Sequence, residues 1–256
     1  MNWVKVISVF SVLLLSAPVL FILIVGFTIF RSQQAFSSYF LDGVELSLLS
    51  SVVAGVLDVI AFTPLAYYLS RSRDPVVDAL ADVPASIPHP IVGVALVFLD
   101  GSFSPVGRFL QSIGINFFDT FQGLVAALVI VSAPIYVRGM RSYFDALPRS
   151  YERYAMGLGA GPLRTFIYVV LPESLRGVIL SSLTSISRAL SEFGSIAIIA
   201  YYVLGGPFKD VSPASIQIYN YYGYYGPQVA ISASAVMILV GLVLLVGLKV
   251  LNFKIT

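Results

Sequence analysis

The stretch VISVFSVLLLSAPVLFILIVGFTIF, residues 6–30, runs for 25 positions without a charged side chain, and its reading decides the fold class. A helix crossing the hydrocarbon core of a bilayer takes about 20 such residues. The run lacks the period-two alternation that a membrane barrel strand needs. Five further predominantly apolar runs follow at 44–69, 83–99, 121–143, 174–203 and 228–251. The whole chain is 58% hydrophobic and 11% charged, against roughly 45–50% and 25% for a soluble domain. These features predict an all-α polytopic bundle of about six spans, forming a single domain over 1–256. Only Lys5 precedes the first run as a charge, and the run exceeds the roughly 7–15 residues of a signal-peptide core, so it is expected to be retained as the first span. The third run carries Pro84, Pro88 and Pro90 between Asp82 and Asp100. A broken or kinked helix inside the bundle is expected there, where neighbours can satisfy the freed carbonyls.

The cations are distributed unevenly. Alternate connections hold Lys5, Arg71, Arg73, Arg138, Arg141, Arg149, Arg153, Arg164, Arg176, Lys249 and Lys254 on one side, against Arg31, Arg108 and Lys209 on the other. Positive loops stay cytoplasmic, so both termini are expected there, in a cell membrane. The longest connection on the positive side, about 144–173, is punctuated by Leu147-Pro148, Gly161-Pro162 and Leu171-Pro172. Such a pattern suits two short helical stretches, and loops beyond about 12–15 residues are commonly functional. The opposite side has 205–227, with Tyr219, Tyr221, Tyr222, Tyr224 and Tyr225. These tyrosines fit an interfacial aromatic belt, or a docking surface for an extracytoplasmic partner.

Catalytic constellations are missing from the sequence. It has no cysteine, and its one histidine, His89, cannot build a relay or an imidazole metal site, so neither catalytic nor metal-ligating residues are assigned. The glycine-rich 157–165 lacks the lysine of a phosphate-binding loop, so this chain is not expected to hydrolyse ATP. A net charge of +2 gives no footprint for nucleic acid. The informative polar groups lie inside the fifth run, since intramembrane charges mark pathways. Ser181, Thr184, Ser185, Arg188, Ser191, Glu192 and Ser195 recur at intervals of three and four, which would place them on one helix face. A hydroxyl stripe with one cation suits transient passage of an anion; close helix packing through small residues is the other reading. Asp58 in the second run is a candidate partner for Arg188, and His89 is expected to be a satisfied interior or interfacial group.

The positive-side loop carries a resemblance to a known family. Membrane subunits of ABC importers have a loop of the pattern Glu-Ala-Ala, three residues, Gly, nine residues, Ile-x-Leu-Pro. Here Arg153-Tyr154-Ala155 is followed by three residues, Gly159, nine more, and Val169-Val170-Leu171-Pro172. Arg153 and Tyr154 depart from the pattern, with Glu152 adjacent. Arg188-Ala-Leu-Ser-Glu-Phe-Gly194 resembles the Arg-Ala-Leu-Gly-Glu-Phe-Gly segment of molybdate, tungstate and sulfate permeases. Ile87-Pro-His-Pro-Ile-Val-Gly93 is similar to their Pro-Pro-x-Val-x-Gly stretch, and Ser104-Pro-Val-Gly107 and Pro134-Ile-Tyr-Val-Arg138 also have counterparts there. The resemblance covers 44–201.

This resemblance implies a type I ABC importer permease fold, working as two copies with two cytoplasmic ATPase subunits and an extracytoplasmic oxyanion-binding protein. ATP and Mg would bind the ATPase subunits, with no cofactor on this chain. Glu152, Arg153, Tyr154, Ala155, Leu158, Gly159, Leu171 and Pro172 would form the ATPase-coupling segment, its apolar face being Tyr151, Tyr154, Ala155 and Leu158. Ser181, Ser185, Arg188, Ser191, Glu192 and Ser195 would line the translocation path. The substrate expected is molybdate or tungstate, with sulfate or thiosulfate as the alternative. A passive anion channel, or an ion-coupled transporter built on repeated broken helices, would be the readings outside this family.

Overall fold

The computed structural model describes residues 2–72, 74–102 and 104–254, with the side chains of Asn2 and of 248–254 excepted. Arg73 thus lies outside the described residues, as do the side chains of Lys249 and Lys254. The chain is a helical bundle. Among the described residues its only extended pairing is an isolated bridge between Val203 and Val211.

Four helices are long and apolar enough to cross a membrane: α1 (Asn2–Thr28), α2 (Ser38–Ser72), α6 (Phe121–Ala146) and α12 (Pro227–Lys254). Two bent helix pairs pass the same test together, which gives six spans when each pair is counted as one. The first pair is α3 (Pro75–Ser86) and α4 (His89–Asp100), meeting at 101°. Pro88 causes this break, because it cannot donate to a continuing helix and holds Ile87 before it in extended backbone, while Pro90 sits in the first turn of α4, where its missing N–H costs nothing. The third run is therefore broken, and each half, at 12 residues, is only about 18 Å long. The second pair is α8 (Pro162–Glu173) and α9 (Leu175–Leu190), meeting at 73°. α8 includes a π-helical turn at Phe166–Val170.

The fifth run differs from its expected form. The helix does not continue to residue 203 but ends at Leu190, and only the short α10 (Ile196–Ile199) follows. Ser191, Glu192 and Ser195 thus lie in or beside a break and do not share a helix face with Ser181 and Ser185. Glu192 explains the break locally: its Oε1 accepts from the Ser195 N–H at 2.9 Å and the Ser195 hydroxyl at 3.0 Å. A side chain that satisfies a downstream N–H in this way competes with the helical ladder.

α2 is the central strut, packing on α6 and α9. Lipid tails are as apolar as leucine, so helices associate through close contact rather than through hydrophobic drive. Gly55 meets Ile186 of α9 where a Cβ would overlap the isoleucine side chain, and Gly93 of α4 meets the Ser195 carbonyl just as closely. α1 lies antiparallel to α12, with Gly26 against Ala235 and the Ser32 N–H on the Ser232 hydroxyl at 3.1 Å. The first turns of α1 and the last of α12 therefore lie at the end of the bundle that carries 147–173. At the opposite end, α5 (Pro105–Ser112) and α11 (Ala214–Tyr224) complete the molecule. Tyr221 is buried against Phe40 at a ring separation of 5.9 Å, while Tyr219, Tyr222, Tyr224 and Tyr225 are exposed.

Candidate functional site

Two clusters of polar groups stand out, one at the junction of the two broken spans and one at the end of the bundle. At the junction, His89 opens α4 and faces the last turn of α9. Arg188 Nη2 lies 3.1 Å from Glu192 Oε2 and 2.9 Å from His89 Nε2, and His89 Nδ1 lies 2.9 Å from the same Glu192 oxygen. Arg188 Nη2 also lies 2.8 Å from His89 Nδ1, so the guanidinium sits across both ring nitrogens while the imidazole reaches Glu192. With Ser195 on its other oxygen, the Glu192 carboxylate, 1% exposed, has partners on both sides. The triad thus ties together the chain at the two breaks.

The residues expected on one polar stripe divide between two environments. Ser181 and Ser185 are buried, the first against Gly139. Ser185 donates to Asp58 Oδ2, which also accepts from Ser132 at 2.7 Å. Asp58 is therefore held by two hydroxyls of α6 and α9, and it is not the partner of Arg188; that partner is Glu192, with His89. The other side of α9 is open: Thr184, Ser187 and Ser191 are exposed, and the Arg188 side chain is 25% exposed. Their depth follows from Ser185, whose partner Asp58 lies near the middle of α2.

At the end of the bundle, α6 stops at Ala146 and Leu147-Pro148 turns the chain into α7 (Ser150–Gly157). Glu152 is directed back toward the bundle. It accepts from Arg71 Nη2 at 2.5 Å and Nε at 2.9 Å, and from the Tyr67 hydroxyl at 2.9 Å. Arg71 Nη1 continues to the Phe144 carbonyl at 2.9 Å, and the Tyr67 ring packs on Phe144 and Phe166. One ion pair therefore fastens α7 to the ends of α2 and α6. At about 100° per residue, Tyr154 and Leu158 lie across the helix from Glu152, and they are 72% and 90% exposed. The apolar face of α7 looks away from the bundle. Ala155 is half-buried; Arg153 is exposed. Gly159 closes the helix at φ +89°, a left-handed backbone that side chains rarely adopt. Leu171 and Pro172 lie in the last turn of α8, which ends at Glu173 and bends at Ser174 into α9.

Sequence reasoning did not find the Arg71–Tyr67 anchor. Its one signal was an i, i+4 pair at the end of a span. A legible pattern also passed unread on α3, where Asp78 and Asp82, one turn apart, meet Arg141 and Arg138 of α6.

This arrangement of six spans, two of them broken, with a short helix docked on one end by its own carboxylate, is the fold of an ABC importer permease. A solved chain of the MetNI methionine ABC transporter, in an inward-facing form, matches 85% of this chain and 96% of its own with a TM-score of 0.61 at 18% identity. The family of binding-protein-dependent transport system inner membrane components matches residues 60–256, and the chain belongs to it. The molybdate/tungstate transport system permease protein WtpB of Thermococcus kodakarensis is 30% identical over 82% of this chain and 78% of its own length. WtpB of Pyrococcus furiosus is 29% identical over 82% and 77%. The sulfate transport system permease protein CysT of Synechocystis sp. is 29% identical over 81% and 72%. The protein is thus a multi-pass membrane permease of the oxyanion branch of this family.

Proposed function

We propose that this chain is the transmembrane permease subunit of an ATP-driven importer of molybdate or tungstate, and that two copies enclose the path. The observation that carries this reading is the open side of α9. Thr184, Ser187, Arg188 and Ser191 lie on the outside of the bundle near mid-span depth. A charge facing hydrocarbon at that depth is costly, and intramembrane cations face protein or a watery cavity. A second copy presenting the same face would supply that cover and leave a polar path between the two. The relatives' names support an oxyanion as cargo, with sulfate as the second reading because CysT is as similar as WtpB of Pyrococcus furiosus.

Energy must come from a partner. A dianion entering against 100 mV works against about 4.6 kcal/mol, twice the single-charge value. Cytoplasmic ATPase subunits docking on α7 would provide it, holding ATP and Mg, while an extracytoplasmic binding protein delivers the anion at the end that carries α11. The cation-rich end with 147–173 is then cytoplasmic. On this reading, closure of the ATPase pair draws the two α7 helices together, and the Arg71–Glu152 fastening passes the motion into α2. The path itself need hold the ion only weakly, because tight sites retain ions; selectivity then rests with the binding protein.

The chain contains no cysteine, which permits a clean test of the paired path. Ser187→Cys and Ser191→Cys should each give disulfide-linked or bismaleimide-linked dimers in native membranes. Their reaction with a water-soluble thiol reagent should change when ATP is trapped on the complex. Monomers reactive only toward lipid-soluble reagents would contradict a path at this face.

A further inference from the structure

We infer that the ATPase partner of this chain meets α7 with an acidic, apolar groove, so that the electrostatic contact at this interface runs from a permease cation to a partner carboxylate. The inference rests on the proposal that α7 is the docking element and adds the chemistry of what docks.

Glu152 is the only carboxylate in 147–172, and it is spent inside the subunit, 10% exposed, on Arg71 and Tyr67. Asp145 and Glu173, both exposed, border the stretch at its two ends, and between them the outward surface carries no anion. Its charges are Arg149, Arg153 and Arg164, all exposed. Arg149 reaches the Ser70 carbonyl at 3.3 Å, whereas Arg153 and Arg164 have no side-chain partner among the described residues. Around them stand Tyr154, Leu158, Leu163 and Tyr168, each at least 71% exposed. An amphipathic helix offers such a face to an apolar groove. Two unpaired guanidiniums beside it require carboxylates across the interface, since like charges juxtaposed there cost several kcal/mol. Arginine also favours carboxylates geometrically, through its planar fork. An anionic membrane surface is the other conceivable cover, but the face opposite Glu152 points away from the bundle rather than along it.

The test uses the purified chain in nanodiscs of neutral lipid and the isolated ATPase subunit, with association measured from low to high salt. Arg153→Glu should weaken association by about tenfold or more, as expected for a reversed charge at a complementary contact, and Arg164→Glu should do the same. Wild-type binding should fall with salt as contacts beyond about 8 Å are screened at physiological ionic strength, and the slope should flatten in Arg153→Gln. Leu158→Ala separates the two levels of the argument. Loss of binding in Leu158→Ala with no effect of either reversal and no salt dependence would overturn the acidic groove while leaving α7 as the dock. Unchanged binding in Leu158→Ala and in both reversals would overturn the docking reading itself. Salt-sensitive binding of the chain to anionic vesicles, lost in Arg153→Glu while ATPase association stays intact, would assign the cations to lipid and also overturn the inference.

Discussion

Replacing Arg71 with alanine is expected to abolish ATP-driven uptake while the spans remain inserted. The Glu152 carboxylate is 10% exposed and takes two of its three side-chain donors from Arg71 and the third from Tyr67, with Arg71 supplying both charge and fork geometry. Removing one member of a buried pair costs about 3–5 kcal/mol, because the other is left buried and uncompensated. That cost falls on the ion pair between α7 and the end of α2, which Arg149 supplements only with a 3.3 Å bond to the Ser70 carbonyl. The Arg71 guanidinium also bonds the Phe144 carbonyl at the end of α6. α7 should then be held less firmly to α2, and ATP hydrolysis by the complex should continue without uptake. Arg71→Lys should restore only part of the coupling, as an ammonium cannot reproduce the bidentate contact. Pairing Arg71→Ala with Glu152→Gln should recover stability but not coupling. Thermal unfolding and the ratio of transport to hydrolysis distinguish these outcomes. Unchanged coupling in Arg71→Ala would remove this pair from the transmission route.

Arg188→Ala should lower the maximal uptake rate by about tenfold or more, given the same cost of an orphaned buried carboxylate. Glu192 would keep His89 and Ser195 as partners but lose its only cationic one. Glu192→Gln offers the contrast. The amide retains the acceptor for Ser195 and removes the charge that holds Arg188, leaving the guanidinium available to a passing anion. If Arg188 contacts the cargo, Glu192→Gln should lower the apparent KM for uptake while Arg188→Ala raises it. If the triad only joins the two breaks, both variants should lower the maximal rate and leave KM unchanged.

Much of the fold was legible because lipid imposes simple demands on a chain. Length and apolarity marked the spans, and Pro88 with Pro90 marked the third as broken, since proline acts through its own covalent geometry. The break after Leu190 was not legible. Residues 174–203 keep a helical period of polar groups, and periodicity registers no helix end that a side chain creates by bonding its own downstream backbone, as Glu192 does with Ser195. That single miss also misplaced the polar stripe: Ser181 and Ser185 turned inward to Gly139 and Asp58, while the exposed hydroxyls are Thr184, Ser187 and Ser191. The prolines and Gly161 of this loop marked two short helical stretches, where α7 and the start of α8 lie. They could not say where Glu152 points, because the partner Arg71 lies far away in sequence and meets it only through tertiary packing. The pairing of His89 with Arg188 and Glu192 had the same obstacle, joining two breaks 99 residues apart.

The most direct test of the central claim is uptake into liposomes that hold this chain with its ATPase and binding protein. Labelled molybdate, tungstate and sulfate are compared side by side, with and without ATP. The account predicts accumulation above the external concentration that requires ATP, with molybdate or tungstate taken up ahead of sulfate. Equal equilibration of all three anions with and without ATP would contradict it and make the chain a passive anion channel.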